Sequence, residues 1–161
     1  IRMTVAIWRI ATDTPDYTAD DLSGEGAKRT GGRWNRAGMP VLYCASSIAL
    51  ACLETVVHWN AGGLPLNRYL VRIDVPDDVW NAATIVPADA GPVGWDAIPE
   101  GKVSLDLGDG WISAKKSALL LVPSVIVPEE FNALVNPLHP DAATLTATKR
   151  RKWLYDSRIK K

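Results

Sequence analysis

The chain has 161 residues, 47% hydrophobic and 22% charged, with 18 Lys plus Arg set against 18 Asp plus Glu for a formal net charge of +0. That length suits a single domain with one substantial core, and the composition excludes a disordered chain. No apolar run approaches the roughly 20 residues that cross a bilayer, and zero net charge offers no general field for holding a polyanion. A soluble, cytoplasmic protein with no membrane contact is expected.

Ile1 and Arg2 precede Met3, which reads as the native start, and nothing there looks like a secretory signal. Cys44 and Cys52 are too few for a disulfide framework or a zinc site. They are expected to be small buried apolar residues in a reducing compartment. His58 and His139 lack ligand spacing as well, so no metal is expected.

In chain order, Val5, Ile7 and Arg9 alternate with Ala6, Trp8 and Ile10, the period of a core strand with one buried and one mixed face. Thr12 to Leu22 is polar, contains Pro15 and reads as a connecting loop or a short turn of helix. Gly24, Gly26, Gly31 and Gly32 then crowd Arg33. Glycines let a ligand approach the main chain closely, so this stretch fits a loop whose N–H groups and guanidinium converge on anionic oxygens such as phosphate. It fits equally a surface loop with a salt-bridged arginine.

Val41 to Ala45 predicts a short strand, and Ser46 or Ser47 a helix cap. Ala49, Cys52, Leu53, Val56 and Val57 recur with helical period and predict the buried face of a helix running to about Trp59 and ended by Gly62-Gly63. Glu54 lies at the margin of that face, either as a solvated helix glutamate or as a partly desolvated carboxylate with a purpose. Asn67 to Val75 alternates as a strand, and Val79 to Val86 reads as a second β-like run. A short helix is expected near Leu105 to Ser113. Leu119 to Val122, Val125 to Val127 and Ala133 to Val135 read as short strands with proline-fixed corners. Asp141 to Ala147 predicts a short helix, and the cations Lys149 to Lys152 read as a solvated face or a partner contact rather than a nucleic-acid patch.

These residues together resemble the RES domain family, toxins of bacterial toxin–antitoxin pairs. Gly24-Glu25-Gly26-Ala27 through Gly31-Gly32-Arg33-Trp34-Asn35 matches its glycine-arginine signature, and Leu42-Tyr43-Cys44-Ala45 through Leu53-Glu54 its tyrosine and glutamate segment. Pro123-Ser124 matches its serine, and Asn136-Pro137-Leu138-His139-Pro140 its late motif; order and spacing agree from about Trp8 to Tyr155. The resemblance implies an α+β, ADP-ribosyltransferase-like fold, two packed β-sheets with flanking helices and an NAD cleft between them. It implies consumption of NAD, as substrate rather than cofactor, by cleavage of the nicotinamide–ribose bond, with ADP-ribose passing to water, phosphate or a protein.

On that reading Arg33, Glu54 and Ser124 are the catalytic candidates. Glu54 faces the ribose, Arg33 holds a phosphate oxygen, and Ser124 fixes Glu54 or a ribose hydroxyl. Tyr43, Trp34, Gly32 and Asn35 are the substrate-binding candidates, the two rings as stacking faces. The family also implies an Xre-like helix-turn-helix antitoxin as partner, a homodimer, and DNA contact only through the antitoxin. Two readings from other classes compete: an RNA-cleaving toxin, suggested by the cation run and the histidines, and a non-catalytic nucleotide-binding module.

Overall fold

The computed structural model describes residues 3–59 and 63–159. Strand β1 (Thr4–Ala11) leads through the polar loop to a short helix α1 (Glu25–Thr30), then β2 (Leu42–Ala45) and helix α2 (Ile48–Val56). Strand β3 (Tyr69–Pro76), helix α3 (Asp77–Asn81), strand β4 (Thr84–Ile85) and helix α4 (Lys102–Ala114) follow. The chain closes with β5 (Leu119–Pro123), β6 (Phe131–Val135), a 3-10 turn over Pro140–Thr144 and β7 (Thr146–Lys152). The result is a mixed α/β architecture of seven strands in the order β4-β5-β6-β2-β1-β3-β7, flanked by helices.

The expected pair of sheets takes a particular form. β4, β5, β6 and β2 make one half and β1, β3 and β7 the other, and the two halves are hydrogen-bonded to each other through one register pair, Trp8 with Ala45. Past that rung β1 and β2 part, and residues of both line a cavity in the gap. Core packs on both faces of the first half. Leu119 and Leu121 join Ile7, Val71 and Ile73 on one side, while Leu120 and Val122 join Trp34, Trp111 and Ile112 on the other. A strand covered on both faces reads as a continuous apolar run, which is what Leu119 to Val122 is.

Several expectations are corrected. The glycine-rich stretch contains helix α1 rather than being loop throughout. Val79 to Val86 is not one strand: Asp77 and Asp78 occupy the first turn of α3, where acidic side chains suit the helix dipole, and only Thr84–Ile85 pairs, parallel to β5. Val125 to Val127 is not a strand, because the Ile126 and Val127 N–H groups turn back onto the Ser124 hydroxyl instead of joining a ladder. The helix expected near Leu105 starts earlier, at Lys102. The helix expected over Asp141 to Ala147 is a 3-10 turn that gives way to an edge strand, and the cations lie on that strand. Charges on an exposed edge discourage pairing with another chain.

Helix α2 forms where predicted, with the Ser47 hydroxyl accepting the Leu50 N–H. Its buried face overlaps the expected one at Cys52, which packs with Leu50 and Ala51, but is otherwise turned away from it. Leu50 and Ala51 pack against Ile10, Ala45 and Leu70, while Ala49, Leu53 and Val57 face solvent. Glu54 lies one turn from Leu50 on that side and is half-buried. The helix ends at Val56; Gly62, expected to help end it, lies outside the described residues.

Candidate active site

The cavity in the gap between β1 and β2 has a volume of about 940 Å³, within the range of roughly 300–1,000 Å³ common for ligand sites. Its wall carries three guanidiniums, Arg9, Arg33 and Arg68, and the carboxylate of Glu54.

Ser124 and Asn132 fix Glu54. The Ser124 hydroxyl donates to Glu54 Oε1 at 2.7 Å while accepting the N–H groups of Ile126 and Val127 at 3.1 and 3.2 Å. Two donors already point at that oxygen, so its single proton is committed to the carboxylate. Asn132 Nδ2 donates to the same Oε1 at 2.8 Å. Among the described residues Oε2 receives no hydrogen bond. Ser124 itself is 0% exposed, so of the two roles expected for it, fixing Glu54 is the one its position serves.

Arg33 is clamped along one edge. Its Nη1 donates to the carbonyls of Trp95 at 3.2 Å and Ala97 at 2.7 Å, a pair of neutral acceptors that orient the guanidinium without neutralising it. Trp95 is in turn anchored by stacking on Trp34, with ring centroids 6.2 Å apart.

The remaining predicted residues build the loop. Tyr43 donates its hydroxyl proton to Asn35 Oδ1 at 2.7 Å and accepts the Trp34 N–H at 3.0 Å. Burial pushes the Tyr43 phenol well above its ordinary value, opposed by the Trp34 N–H, so it stays a neutral donor. Asn35, grouped by sequence with the ligand contacts, is 0% exposed and spends its amide hydrogens on the carbonyls of Ala27 and Met39. It organises the loop from beneath. Trp34 is 3% exposed and packs with Trp95 rather than presenting an open face. Gly32 lines the cavity, and a Cβ there would stand 2.7 Å from the Tyr43 hydroxyl.

Thus Arg33, Glu54, Tyr43, Trp34 and Gly32 share one cavity, with Ser124 and Asn35 behind its wall. Sequence reasoning missed Arg9 and Asn132. The signal for Arg9 was a cation at the core-facing register of an apolar strand, and its Nε is buried without a hydrogen-bond partner. Asn132 stands just before the apolar run read as a strand.

The sequence matches the RES domain family over residues 6–156. It is 62% identical over 157 residues to the Prs ADP-ribosylating toxin of Sphingobium sp. (strain YBL2), covering 98% of each chain. It is 37% identical over 145 residues to Toxin Res of Yersinia enterocolitica, covering 89% of this chain and 93% of that one. Toxin Res of Pseudomonas putida is 40% identical over 138 residues, 84% of this chain and 87% of its own. Matched to the family over nearly its whole length, with Arg33 and Glu54 on one cavity wall and Ser124 behind it, the chain belongs to the RES domain family.

Proposed function

We propose that the chain is a toxin that uses NAD as substrate, breaking the nicotinamide–ribose bond and passing ADP-ribose to a protein acceptor. The observation that carries this reading is Glu54, held at one oxygen by two donors on the wall of a cavity that also presents Arg9 and Arg33. Nicotinamide leaves with the bonding electron pair and becomes a neutral base, so no acid is needed and one carboxylate suffices where ordinary glycosidases use two. Glu54 opposes the positive charge that develops on the ribose, which stabilises the transition state more than the ground state. Arg33 and Arg9 hold the pyrophosphate. The acceptor's lone pair then bonds to the anomeric carbon and its proton is released.

Transfer to a protein is favoured over release to water or phosphate by the name of the Sphingobium relative, an ADP-ribosylating toxin. Prs is therefore the first acceptor to test. An Xre-like helix-turn-helix antitoxin as neutralising partner, and a homodimer, belong to the same reading. Purified protein incubated with NAD is expected to release nicotinamide and to add the mass of one ADP-ribose to the acceptor. Glu54→Gln is expected to lower the rate by about 10²–10³-fold, the cost of removing a charge-stabilising group. Nicotinamide release with free ADP-ribose and an unmodified acceptor would favour hydrolysis; no release above the Glu54→Gln background would reject the proposal.

A further inference from the structure

Two side chains from adjacent strands converge on Glu54. Val122 of β5 lies opposite Asn132 of β6, and Ser124 follows two residues later, so the antiparallel register sets the hydroxyl and the amide side by side. Ser124 is buried behind the carboxylate, whereas Asn132 lines the cavity with it. Because Glu54 Oε1 accepts, the amide can meet it only through Nδ2. That orientation leaves Asn132 Oδ1 buried without a partner. An apolar residue at this register would avoid such an orphaned acceptor, so packing alone does not ask for asparagine.

We infer that Asn132 is a positioning residue for NAD cleavage. One hydrogen bond to Oε1 leaves the carboxylate free to swing about that contact. A second donor from the neighbouring strand stops the swing and leaves Oε2 to face the ribose as it turns cationic. The inference rests on Glu54 being the reacting carboxylate.

The test compares nicotinamide release by the wild type, Asn132→Ala and Asn132→Asp across pH. Asn132→Ala is expected to lose kcat on the order of 10²-fold, as misplaced reacting groups do, with KM for NAD within about 3-fold of the wild type. Asn132→Asp keeps the shape and sets a second carboxylate against Glu54. Where the pair shares one proton, an O–H donor replaces the amide N–H and turnover recovers; as pH rises and the shared proton is lost, turnover falls. The other titratable groups of the cavity, His58 among them, are common to all three proteins, so an alkaline limb present only in Asn132→Asp belongs to the new pair. Variants with wild-type kcat and pH profile, or with a raised KM and unchanged kcat, would overturn the inference. Should Asn132→Ala fail to fold, Asn132→Leu, of similar size and without a donor, takes its place, and a kcat equal to that of the wild type overturns the inference. A wild type that releases no nicotinamide overturns the functional reading as well, whereas an active wild type with unaffected variants overturns only the role of Asn132.

Discussion

Gly32 and Tyr43 set the shape of the arginine loop between them. A methyl at Gly32 would stand 2.7 Å from the Tyr43 hydroxyl, so Gly32→Ala is expected to cost about 1–3 kcal/mol by overpacking, read as a lower urea midpoint. Removing the hydroxyl relieves part of that contact. In Gly32→Ala/Tyr43→Phe the combined loss should therefore be smaller than the sum of the single losses. Cys44 sets an alkaline limit. Burial pushes its thiol up to about 11 from 9.0. Because the folded state holds the proton more tightly than the unfolded one, stability is full below about pH 9 and falls as pH rises through 11, a loss approaching about 3 kcal/mol. Denaturation midpoints between pH 8 and 11 should decline less steeply for Cys44→Ala. Arg33, Glu54 and Ser124 were readable as site candidates through their ordered motif. Asn132 was not, since an asparagine at the start of an apolar run carries no signal until the strand register sets it beside Ser124.

At the scale of elements, helix α4 and the arginine loop are in backbone contact. A Cβ on Gly108 would stand 1.7 Å from the Trp34 carbonyl oxygen, and no side chain can move aside to relieve it. Gly108→Ala is expected to cost more than about 3 kcal/mol or to abolish folding, read by circular dichroism and thermal melting. Arg36 ties the same two elements with ion pairs to Asp106 and Asp109 on α4, at 2.8 and 2.9 Å. The two faces of α2 differ in the same measurable way. Leu50→Ala, at 3% exposure, is expected to cost about 2–4 kcal/mol, and Leu53→Ala, at 36% exposure, under about 1 kcal/mol. Helical period alone set the stripe too far round, keeping Cys52 but missing Leu50 and Ala51, because α2 has apolar residues on both sides. The Pro76-Asp77-Asp78 turn hid α3 for a related reason: a five-residue helix contributes too few positions for a periodic signal.

For the molecule as a whole, β1, β2, β3, β5 and β6 were legible from alternation or apolar runs, while their spatial order was not, because pairing across long loops leaves no local trace. β7 escaped because its cations mask a strand period. A ligand spanning the cleft should raise stability by mass action, about 2.7 kcal/mol at one hundred times its dissociation constant. The Glu54→Gln protein, expected to consume NAD far more slowly, is the one in which to measure it with NAD. Adding Arg33→Ala to that protein should weaken binding by about 10–100-fold, the range for a lost charge-assisted hydrogen bond, seen as a smaller NAD-dependent rise in melting temperature.

The lone rung between Trp8 and Ala45 gives the sheet an uneven stiffness. Each half has several rungs and the join one, beside the core shared by Ile7, Val71, Leu119 and Leu121, so backbone hydrogen bonds are expected to open first at that rung. Amides on either side of that join are expected to exchange with deuterated solvent sooner than those of the β1–β3 ladder. A dinucleotide lying across the gap, touching Arg9 on one half and Glu54 beside the other, would act as a second cross-tie and slow that exchange on both banks together.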